Sequence, residues 1–288
     1  MMNGIINVLK PPGMTSHDVV SFIRRTYGIK KVGHAGTLDP AAAGVLPVAL
    51  GQATRLLEYM TDCDKSYRTE LTLGYETNTG DDTGEILFSK PFTTPNSETL
   101  EEILDSFIGT SSQIPPMYSA IKIDGKKMYD LARAGLHVEL KPRTVTIHSI
   151  KLIHQTATSI LFDVSCSKGT YIRSLCADIG KLLGGPVVMS FLVRTRVGLF
   201  TLEDSYTLEE IAEKKESILL PSETAIKHFP KVILTAQDAV FFQNGQKVAN
   251  TINTPGIVRV YTFDNLLLGI GMQDSTHYIS PVKVLSRF

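Results

Sequence analysis

A single carboxylate in a glycine-rich turn is the most promising reactive group of this sequence. Asp39 stands in the stretch GHAGTLDPAAAGVLP of residues 33–47, whose glycines permit positive φ and a close approach of the backbone to a ligand. Pro40 disfavours helical conformation at Asp39 and stiffens the turn. An aspartate presented in this way can act as a nucleophile. The alternative is ordinary turn chemistry, in which the carboxylate only accepts hydrogen bonds from nearby backbone N–H groups.

Residues 33–47 resemble the signature of the TruB family of bacterial pseudouridine synthases, which modify uridine in the T loop of tRNA. Four further segments resemble motifs of this family in the same order and spacing: KPPGMTS at 10–16, DKSY at 64–67, KGTYIRSL at 168–175 and LVRT at 192–195. Five matches in register across most of the chain are hard to obtain by chance. The resemblance therefore implies an enzyme that converts uridine in tRNA to pseudouridine.

The resemblance implies catalytic roles for four side chains. Asp39 matches the essential nucleophile or ribose-side acid–base group, and Arg173 matches its salt-bridge partner. A neighbouring cation is expected to keep the pKa of Asp39 low and the carboxylate ionised. Tyr67 matches the tyrosine that stacks on the extruded base, and Tyr171 matches a second active-site tyrosine. One of these phenols could remove the C5 proton, although an ordinary tyrosine pKa of about 10 makes it a weak base.

Further residues are predicted to bind the substrate. By resemblance, His34 fills the space that flipped nucleotides leave in the T loop, and Leu192 lies near the bound base. Lys126 and Lys127 belong to a basic stretch at about 112–143, which we interpret as an insertion that grips the T arm of tRNA. Without the resemblance, His34 is an ordinary turn histidine, and aromatic and aliphatic residues are normal in strands.

The charge distribution is compatible with an RNA substrate. The chain has 288 residues, 43% of them hydrophobic, and 29 basic and 29 acidic residues give a formal net charge of zero. The charges are segregated, however, because residues 5–36 and 165–196 each hold five Lys or Arg residues and one acid, whereas residues 81–105 hold seven acids and one lysine. The local potential decides phosphate binding, so a basic face can bind a polyanion. Solvated basic helix faces are the alternative interpretation.

Several classes of protein are disfavoured. The sequence shows no signal peptide and no run of about eighteen apolar residues, so a cytoplasmic protein without a membrane span is expected. Cys63, Cys166 and Cys176 form no CxxC pair, and we expect them to be reduced and buried rather than in disulfides or a zinc site. No Walker or dinucleotide motif is present. We expect no metal, no nucleotide cofactor and a monomer.

Hydrophobic periodicity predicts the elements that position these motifs. Helices are predicted at 15–27, 53–60, 97–108, 171–183 and 208–215, with a short helix ending at Gly135. Strands are predicted at 5–8, 45–50, 67–75, 144–153, 159–166 and 187–195. Thr15 and Asp18 are spaced as a capping box. The side chains predicted to face inward from the 171–183 helix are Ile172, Leu175, Ile179, Leu182 and Leu183.

The predicted fold class is α+β. The resemblance implies the pseudouridine synthase catalytic fold, a mixed and mainly antiparallel sheet flanked by helices, over residues 1–229. A change to short strands and turns near Pro230 predicts a small C-terminal all-β domain at 230–288. The pattern alone supports only a small barrel-like domain, and the resemblance implies a PUA-like RNA-binding domain.

Two other functions stay open on the sequence. A tRNA-binding or tRNA-folding protein with catalysis secondary or lost would bind tRNA without turnover, although a carboxylate at Asp39 would repel phosphates. A glycoside-hydrolase-like enzyme usually needs two carboxylates, and the matched motifs hold no partner acid. For the isomerase, the sequence leaves open whether Asp39 adds to C6 of the base, attacks the anomeric carbon or drives a glycal route.

Overall fold

The structure is a computed structural model. It describes residues 2–118, 122–123, 126–128, 140–249 and 255–285 of the chain. Within these residues, no helix is long and apolar enough to cross a membrane.

The described part of the chain contains six α-helices and three 3₁₀ helices. The α-helices are α1 (Ser16–Tyr27), α2 (Leu57–Thr61), α3 (Ser97–Asp105), α4 (Ile172–Leu183), α5 (Leu208–Lys214) and α6 (Ala236–Gln243). The 3₁₀ helices are Gly51–Leu56, Lys215–Ile218 and Ser222–Ile226.

The strands of the same residues fall into two larger sheets and two hairpins. They are β1 (Gly4–Lys10), β2 (Val32–His34), β3 (Ala43–Leu50), β4 (Lys65–Leu73), β5 (Tyr75–Thr77), β6 (Ile86–Ser89), β7 (Gly109–Gln113), β8 (Lys122–Ile123), β9 (Lys126–Lys127), β10 (Arg143–Gln155), β11 (Ser159–Cys166), β12 (Val187–Val197), β13 (Phe200–Thr201), β14 (Lys231–Leu234), β15 (Val248–Ala249), β16 (Gly256–Thr262), β17 (Leu267–Gln273) and β18 (Tyr278–Val284).

A sheet of nine strands, counted within the described ranges, forms the first part of the molecule. Its order is β1-β3-β12-β4-β11-β10-β7, with β2 paired to β3 and β13 paired to β12. The pair β12–β3 is parallel, whereas the other recorded pairs of this sheet are antiparallel. The predicted mixed and mainly antiparallel sheet is thus confirmed.

The parallel pairing of β12 with β3 requires a glycine. Gly44, opposite Arg194 in the register, has a φ of 112°, which L side chains rarely adopt. A β-carbon at Gly44 would lie 2.2 Å from the carbonyl oxygen of Arg194. This close approach joins β12 to the strand that directly follows the Asp39 loop.

Helices α3 and α4 cover one face of the sheet. Side chains such as Leu71, Phe162 and Ile179 are fully buried in the core between these helices and the sheet. The predicted 171–183 helix is confirmed as α4, but the inward placement of Leu182 is wrong because 58% of this residue is exposed. A helix turns about 100° per residue, so Leu182 falls at the margin of the buried stripe that contains Ile172 and Ile179.

Local sequence signals mark both ends of α1. Thr15 is its N-cap, and the predicted capping box with Asp18 is present; Gly28 closes the helix with a φ of 64°. The segment predicted as one helix at 53–60 is instead the 3₁₀ helix Gly51–Leu56 followed by the short helix α2.

The C-terminal sheet has the strand order β14-β16-β17-β18-β15. The predicted all-β domain is present, and it also holds α6, which sequence analysis did not predict. This part packs against the first: the Lys283 Nζ lies 5.4 Å from the centre of the Tyr59 ring and donates to the Arg55 carbonyl at 2.7 Å.

Part of the basic stretch at 112–143 is described. Strands β8 and β9 pair antiparallel, so the backbone of Lys126 and Lys127 forms one arm of a hairpin. The side chains of these two lysines, and the short helix predicted to end at Gly135, lie outside the described residues.

Candidate active site

An open cleft of about 580 Å³ lies where the Asp39 loop meets the central sheet and the start of α4. Five of the predicted site residues line it: Asp39, Tyr67, Tyr171, Arg173 and Leu192. His34 lies on β2 and is not among the residues that line the cleft. Segments far apart in the sequence are therefore brought to one site by the sheet order.

Asp39 and Arg173 form a salt bridge in this cleft. The Oδ2 of Asp39 lies 3.0 Å from an Nη2 of Arg173, whose side chain is only 6% exposed. Arg173 stands in the first turn of α4 and also donates to the carbonyl oxygens of Thr79 at 3.0 Å and Tyr118 at 2.6 Å. The guanidinium is thus fixed from several sides and aims the carboxylate of Asp39 into the cleft.

A second carboxylate, missed by sequence analysis, lies behind Arg173. The Oδ2 of Asp81 is 3.6 Å from the Nη1 of Arg173. The Oδ1 of Asp81 accepts hydrogen bonds from the hydroxyls of Thr79 at 2.8 Å and Thr83 at 2.5 Å. The sequence signal was a carboxylate flanked by two threonines in a turn, but the position of this turn depends on its contacts with Met189 of β12 and Arg173 of α4, which are distant in sequence.

The pKa of Asp39 is raised above its ordinary value. Burial is the main cause; the charge of Arg173 lowers the pKa, and the charge of Asp81 raises it. Although 40% of the Asp39 side chain is open to the cleft, protein surrounds the carboxyl on its other sides. The low pKa predicted from the neighbouring arginine is therefore wrong, because loss of hydration outweighs the ion pair. A poorly hydrated carboxylate is a stronger base and nucleophile than a free one.

The Asp39 loop is fastened on both sides. The Lys10 Nζ is buried and donates to the carbonyl oxygen of Ala42 at 2.5 Å. Burial lowers the pKa of Lys10 to about 8, while the charge of Asp39 raises it. On the other side, the hydroxyl of Ser16 accepts from the amide N–H of Leu38 at 2.9 Å. These contacts hold the backbone that carries the carboxylate.

Tyr67 lies on β4 with 7% of its surface exposed. Burial raises the pKa of its phenol, and the charge of Arg194 acts in the opposite direction. Arg194 is fully enclosed and donates to the carbonyl oxygens of Val45 at 2.8 Å and Gly36 at 3.0 Å. Sequence analysis quoted Arg194 in the LVRT motif but gave it no role. It links Gly36 of the Asp39 loop to Val45 of β3, and it lies opposite Tyr67 in the sheet register.

The remaining predicted residues take different places. Tyr171 is the N-cap of α4, and its amide N–H donates to the Gln113 Oε1 at 2.8 Å. Leu192 is half-buried on β12, opposite Thr69. His34 is half-buried, its Nδ1 has no hydrogen-bond partner among the described residues, and burial lowers its pKa. A neutral imidazole suits stacking better than proton transfer.

Basic side chains extend the cleft toward solvent. Arg143 and Lys168 line it, and the Lys168 Nζ lies 2.9 Å from the Oδ2 of Asp62. Within the described part of the chain, no three His, Cys, Asp or Glu side chains lie close enough to hold a metal ion.

The structure is similar to those of two solved complexes. It matches the crystal structure of a Cbf5-Nop10-Gar1 complex with a TM-score of 0.77 at 29% identity, over 98% of this chain and 85% of that chain. It also matches the structure of an H/ACA RNP bound to a substrate RNA containing 2'-deoxyuridine, with a TM-score of 0.75 at 27% identity, over 99% and 85% of the two chains. The fold and the cleft define the class of enzyme, a pseudouridine synthase.

Sequence comparisons narrow this class. The model of the TruB family pseudouridylate synthase N-terminal domain matches residues 24–172, and two TruB C-terminal models match residues 173–227 and 230–285. The tRNA pseudouridine synthase B of Alkaliphilus oremlandii is 53% identical over 293 residues, covering 99% of this chain and 98% of its own. That of Caldanaerobacter subterraneus subsp. tengcongensis is 50% identical over 275 residues, covering 95% and 96%. The chain belongs to the TruB family, and the resemblance drawn from its five motifs is confirmed.

Proposed function

We propose that this enzyme isomerises uridine 55 in the T loop of tRNA to pseudouridine. Relatives of nearly equal length are named tRNA pseudouridine synthase B, and the resemblance in the motifs implies the T loop as the target. The observation that carries the proposal is the Asp39–Arg173 pair, with 3.0 Å between oxygen and nitrogen, at a cleft open to solvent. Because tRNA is a cytoplasmic substrate and one chain forms the cleft, we expect a cytoplasmic monomer.

The reaction needs a carboxylate but no redox step. The bond between C1′ and N1 breaks, the uracil turns, a bond forms between C1′ and C5, and C5 loses a proton while N1 gains one. Asp39 starts the reaction by adding to C6, by attacking C1′ or by taking the C2′ proton on the glycal route. Arg173 orients the carboxylate and favours its ionised form. In each case the product has the same atoms as the substrate.

The uridine must leave the RNA stack to reach Asp39. A volume of about 580 Å³ lies within the range of about 300–1,000 Å³ that is usual for ligand pockets. Tyr67 offers an aromatic face that replaces the stacking lost on flipping, and Leu192 lines the cleft near the base. Tyr171 stands at the start of α4, where its phenol is a candidate for removing the C5 proton.

We further propose a division of labour along the chain. Residues 1–229 form the catalytic domain, and residues 230–288 form a PUA-like domain that binds RNA outside the T loop. The basic insertion at about 112–143 grips the T arm, and His34 stacks in the loop where nucleotides have flipped out. This assignment follows the family resemblance and the match of the C-terminal family model to residues 230–285.

The direct test of the substrate is position-resolved mapping of pseudouridine. An unmodified tRNA transcript incubated with purified protein, without added metal or nucleotide, is expected to gain one pseudouridine at position 55. A transcript with cytidine at that position is the control and should gain none. Modification elsewhere in the control transcript, or none in either RNA, would overturn the proposal.

Neutralising Lys126 and Lys127 should weaken tRNA binding and flatten its salt dependence. Each phosphate contact contributes close to one unit to the negative slope of log K, where K is the binding constant for tRNA, against the logarithm of the salt concentration. The double Gln variant should therefore reduce the magnitude of this slope by roughly 1 to 2. Filter binding at several salt concentrations measures this slope. The double Gln variant of Lys214 and Lys215, another adjacent pair of lysines, is the matched control. Equal slopes for both variants would remove the insertion from RNA binding.

A further inference from the structure

Two cations that line the cleft, Lys65 and Arg194, are almost fully buried. Lys65 is 7% exposed and Arg194 is 1% exposed, and within the described residues neither forms a salt bridge. The Lys65 Nζ donates to the carbonyl oxygens of Thr61 at 2.8 Å and Cys63 at 2.6 Å. Arg194 is likewise held by carbonyl oxygens, those of Val45 and Gly36. Their charges are therefore fixed in place but not neutralised by carboxylates.

Because Gly36 has no side chain, it does not separate these cations from the cleft. A β-carbon at Gly36, which itself lines the cleft, would lie 3.5 Å from the Nη1 of Arg194 and 3.7 Å from the Cε of Lys65. Lys65 and Tyr67 are two residues apart on β4, so their side chains share one face of the sheet. The two cations thus lie beside the tyrosine on which the base is proposed to stack.

Burying these charges is unfavourable for folding. Buried ions usually need paired partners, because transfer from water to the interior costs free energy that carbonyl groups offset only in part. The cost is visible in Lys65, where burial, assisted by the charge of Arg194, lowers the pKa to about 8. Local features that oppose stability in this way are concentrated at functional sites.

The proposed reaction generates negative charge where these cations lie. When the bond between C1′ and N1 breaks, both of its electrons stay on the base, giving a uracil anion with charge shared by N1, O2 and O4. The sugar carbon then gains a bond to the oxygen of Asp39, or C2′ gives its proton to that oxygen. Addition of Asp39 to C6 also moves electrons to O4. All three routes place an anion in the part of the cleft that Tyr67 lines.

We propose that Lys65 and Arg194 form an electrostatic subsite that stabilises the uracil anion while the base is detached from, or turning above, the sugar. Fixed positive charge in a water-poor site stabilises an anion without reorganisation during the reaction. Neither residue exchanges protons with the substrate, and their effect is on the rate rather than on RNA binding. The inference rests on the proposed function of the cleft.

The test measures single-turnover pseudouridine formation at saturating tRNA. Lys65→Met is expected to lower the rate by roughly 10- to 100-fold. This effect does not exceed the decrease in rate that follows removal of a direct hydrogen-bond donor to an oxyanion. The dissociation constant for tRNA should change less than about twofold, because phosphate contacts dominate the affinity for nucleic acid and Lys65 is only 7% exposed. Lys65→Arg should restore most of the rate. Lys181→Met, at an exposed lysine of α4, is the matched control and should match the unmodified enzyme.

The pH profile separates charge from packing. Lys65 loses its proton near pH 8, whereas an arginine at this position stays charged, so the rate of Lys65→Arg relative to the unmodified enzyme should rise as pH passes through about 8. The ratio of the two rates is compared because Lys10, whose pKa is also about 8, titrates in both enzymes. The charged and titratable groups facing Lys65 are Arg194, Cys63, Cys166 and Asp62. Burial raises the pKa of both thiols, that of Cys166 to about 11, so they stay neutral near pH 8.

Three results would overturn the subsite. These are a folded Lys65→Met enzyme with an unchanged rate, a Lys65→Arg enzyme as slow as Lys65→Met, and a ratio of the Lys65→Arg rate to the unmodified rate that stays constant as pH rises through about 8. If Lys65→Met does not fold, the pH profile of Lys65→Arg decides alone. Absence of pseudouridine with the unmodified enzyme would instead contradict the proposed function.

Discussion

Asp39→Asn will abolish pseudouridine formation and leave tRNA binding nearly intact. The amide keeps the shape of the side chain and can still accept a hydrogen bond from Arg173, but it is neither a nucleophile nor a base. The rate should fall by roughly four orders of magnitude or more, the scale seen when a central catalytic group is removed. Release of tritium from tRNA labelled at C5 of uridine measures the rate, and filter binding measures the affinity.

Asp178→Asn, which removes an exposed carboxylate of α4, is the control and should release tritium at the normal rate. Tritium release by the Asp39→Asn enzyme at more than a small fraction of that rate would contradict the assignment. An unmodified protein that binds tRNA and releases no tritium would instead favour a tRNA-binding or tRNA-folding protein.

Arg173→Met will slow the reaction and shift its pH dependence. Loss of a fixed charge beside the reacting carboxylate is expected to cost about 10²- to 10³-fold in rate. The charge of Arg173 lowers the pKa of Asp39, and the charge of Asp81 raises it, so removing the cation raises the pKa further. Because Asp39 must be ionised, acidification should abolish the activity of this variant at a higher pH than that of the unmodified enzyme. The pH profile of single-turnover rates measures this shift.

Folding must be checked in the same variant. Arg173 also pairs with Asp81, whose side chain is only 11% exposed, and removing one partner of a buried ion pair typically lowers the free energy of unfolding by about 3–5 kcal/mol, which urea denaturation measures. Arg173→Lys retains the charge, so the acidic limb of its pH profile, where the rate falls on acidification, should stay nearer its normal position. The variant nevertheless loses the contacts that the guanidinium makes with Thr79 and Tyr118. An acidic limb that is identical in the Met, Lys and unmodified enzymes would contradict the electrostatic role of Arg173.

Most of the fold could be predicted because its elements have strong local patterns. The capping box at Thr15 and the alternating residues of β4 carry clear signals, and both elements were found. Helix α6 was missed because its apolar residues Val240, Phe241 and Phe242 are consecutive and mark no single helical face. Leu182 was misplaced because a residue at the edge of an apolar stripe is buried only if a neighbour covers that edge.

The site was predictable where motifs carry it and not where distant segments meet. Asp39 and Arg173 stand in recognisable segments, and the structure places them in contact. Asp81 stands in a turn whose position depends on pairing with β12, which no local pattern encodes. The direction of the Asp39 pKa depends on how much protein surrounds the carboxyl. Spacing in the sequence gives the neighbouring arginine but not the lost hydration.

The central claim is that one flipped uridine meets Asp39 in this cleft, and a structure of the Asp39→Asn enzyme with a T-arm stem-loop tests it most directly. We predict uridine 55 in the cleft, its base stacked on Tyr67 and its C1′ or C6 within contact distance of residue 39. A different nucleotide in the cleft, or uridine 55 still stacked in the RNA with the cleft empty, would contradict the account.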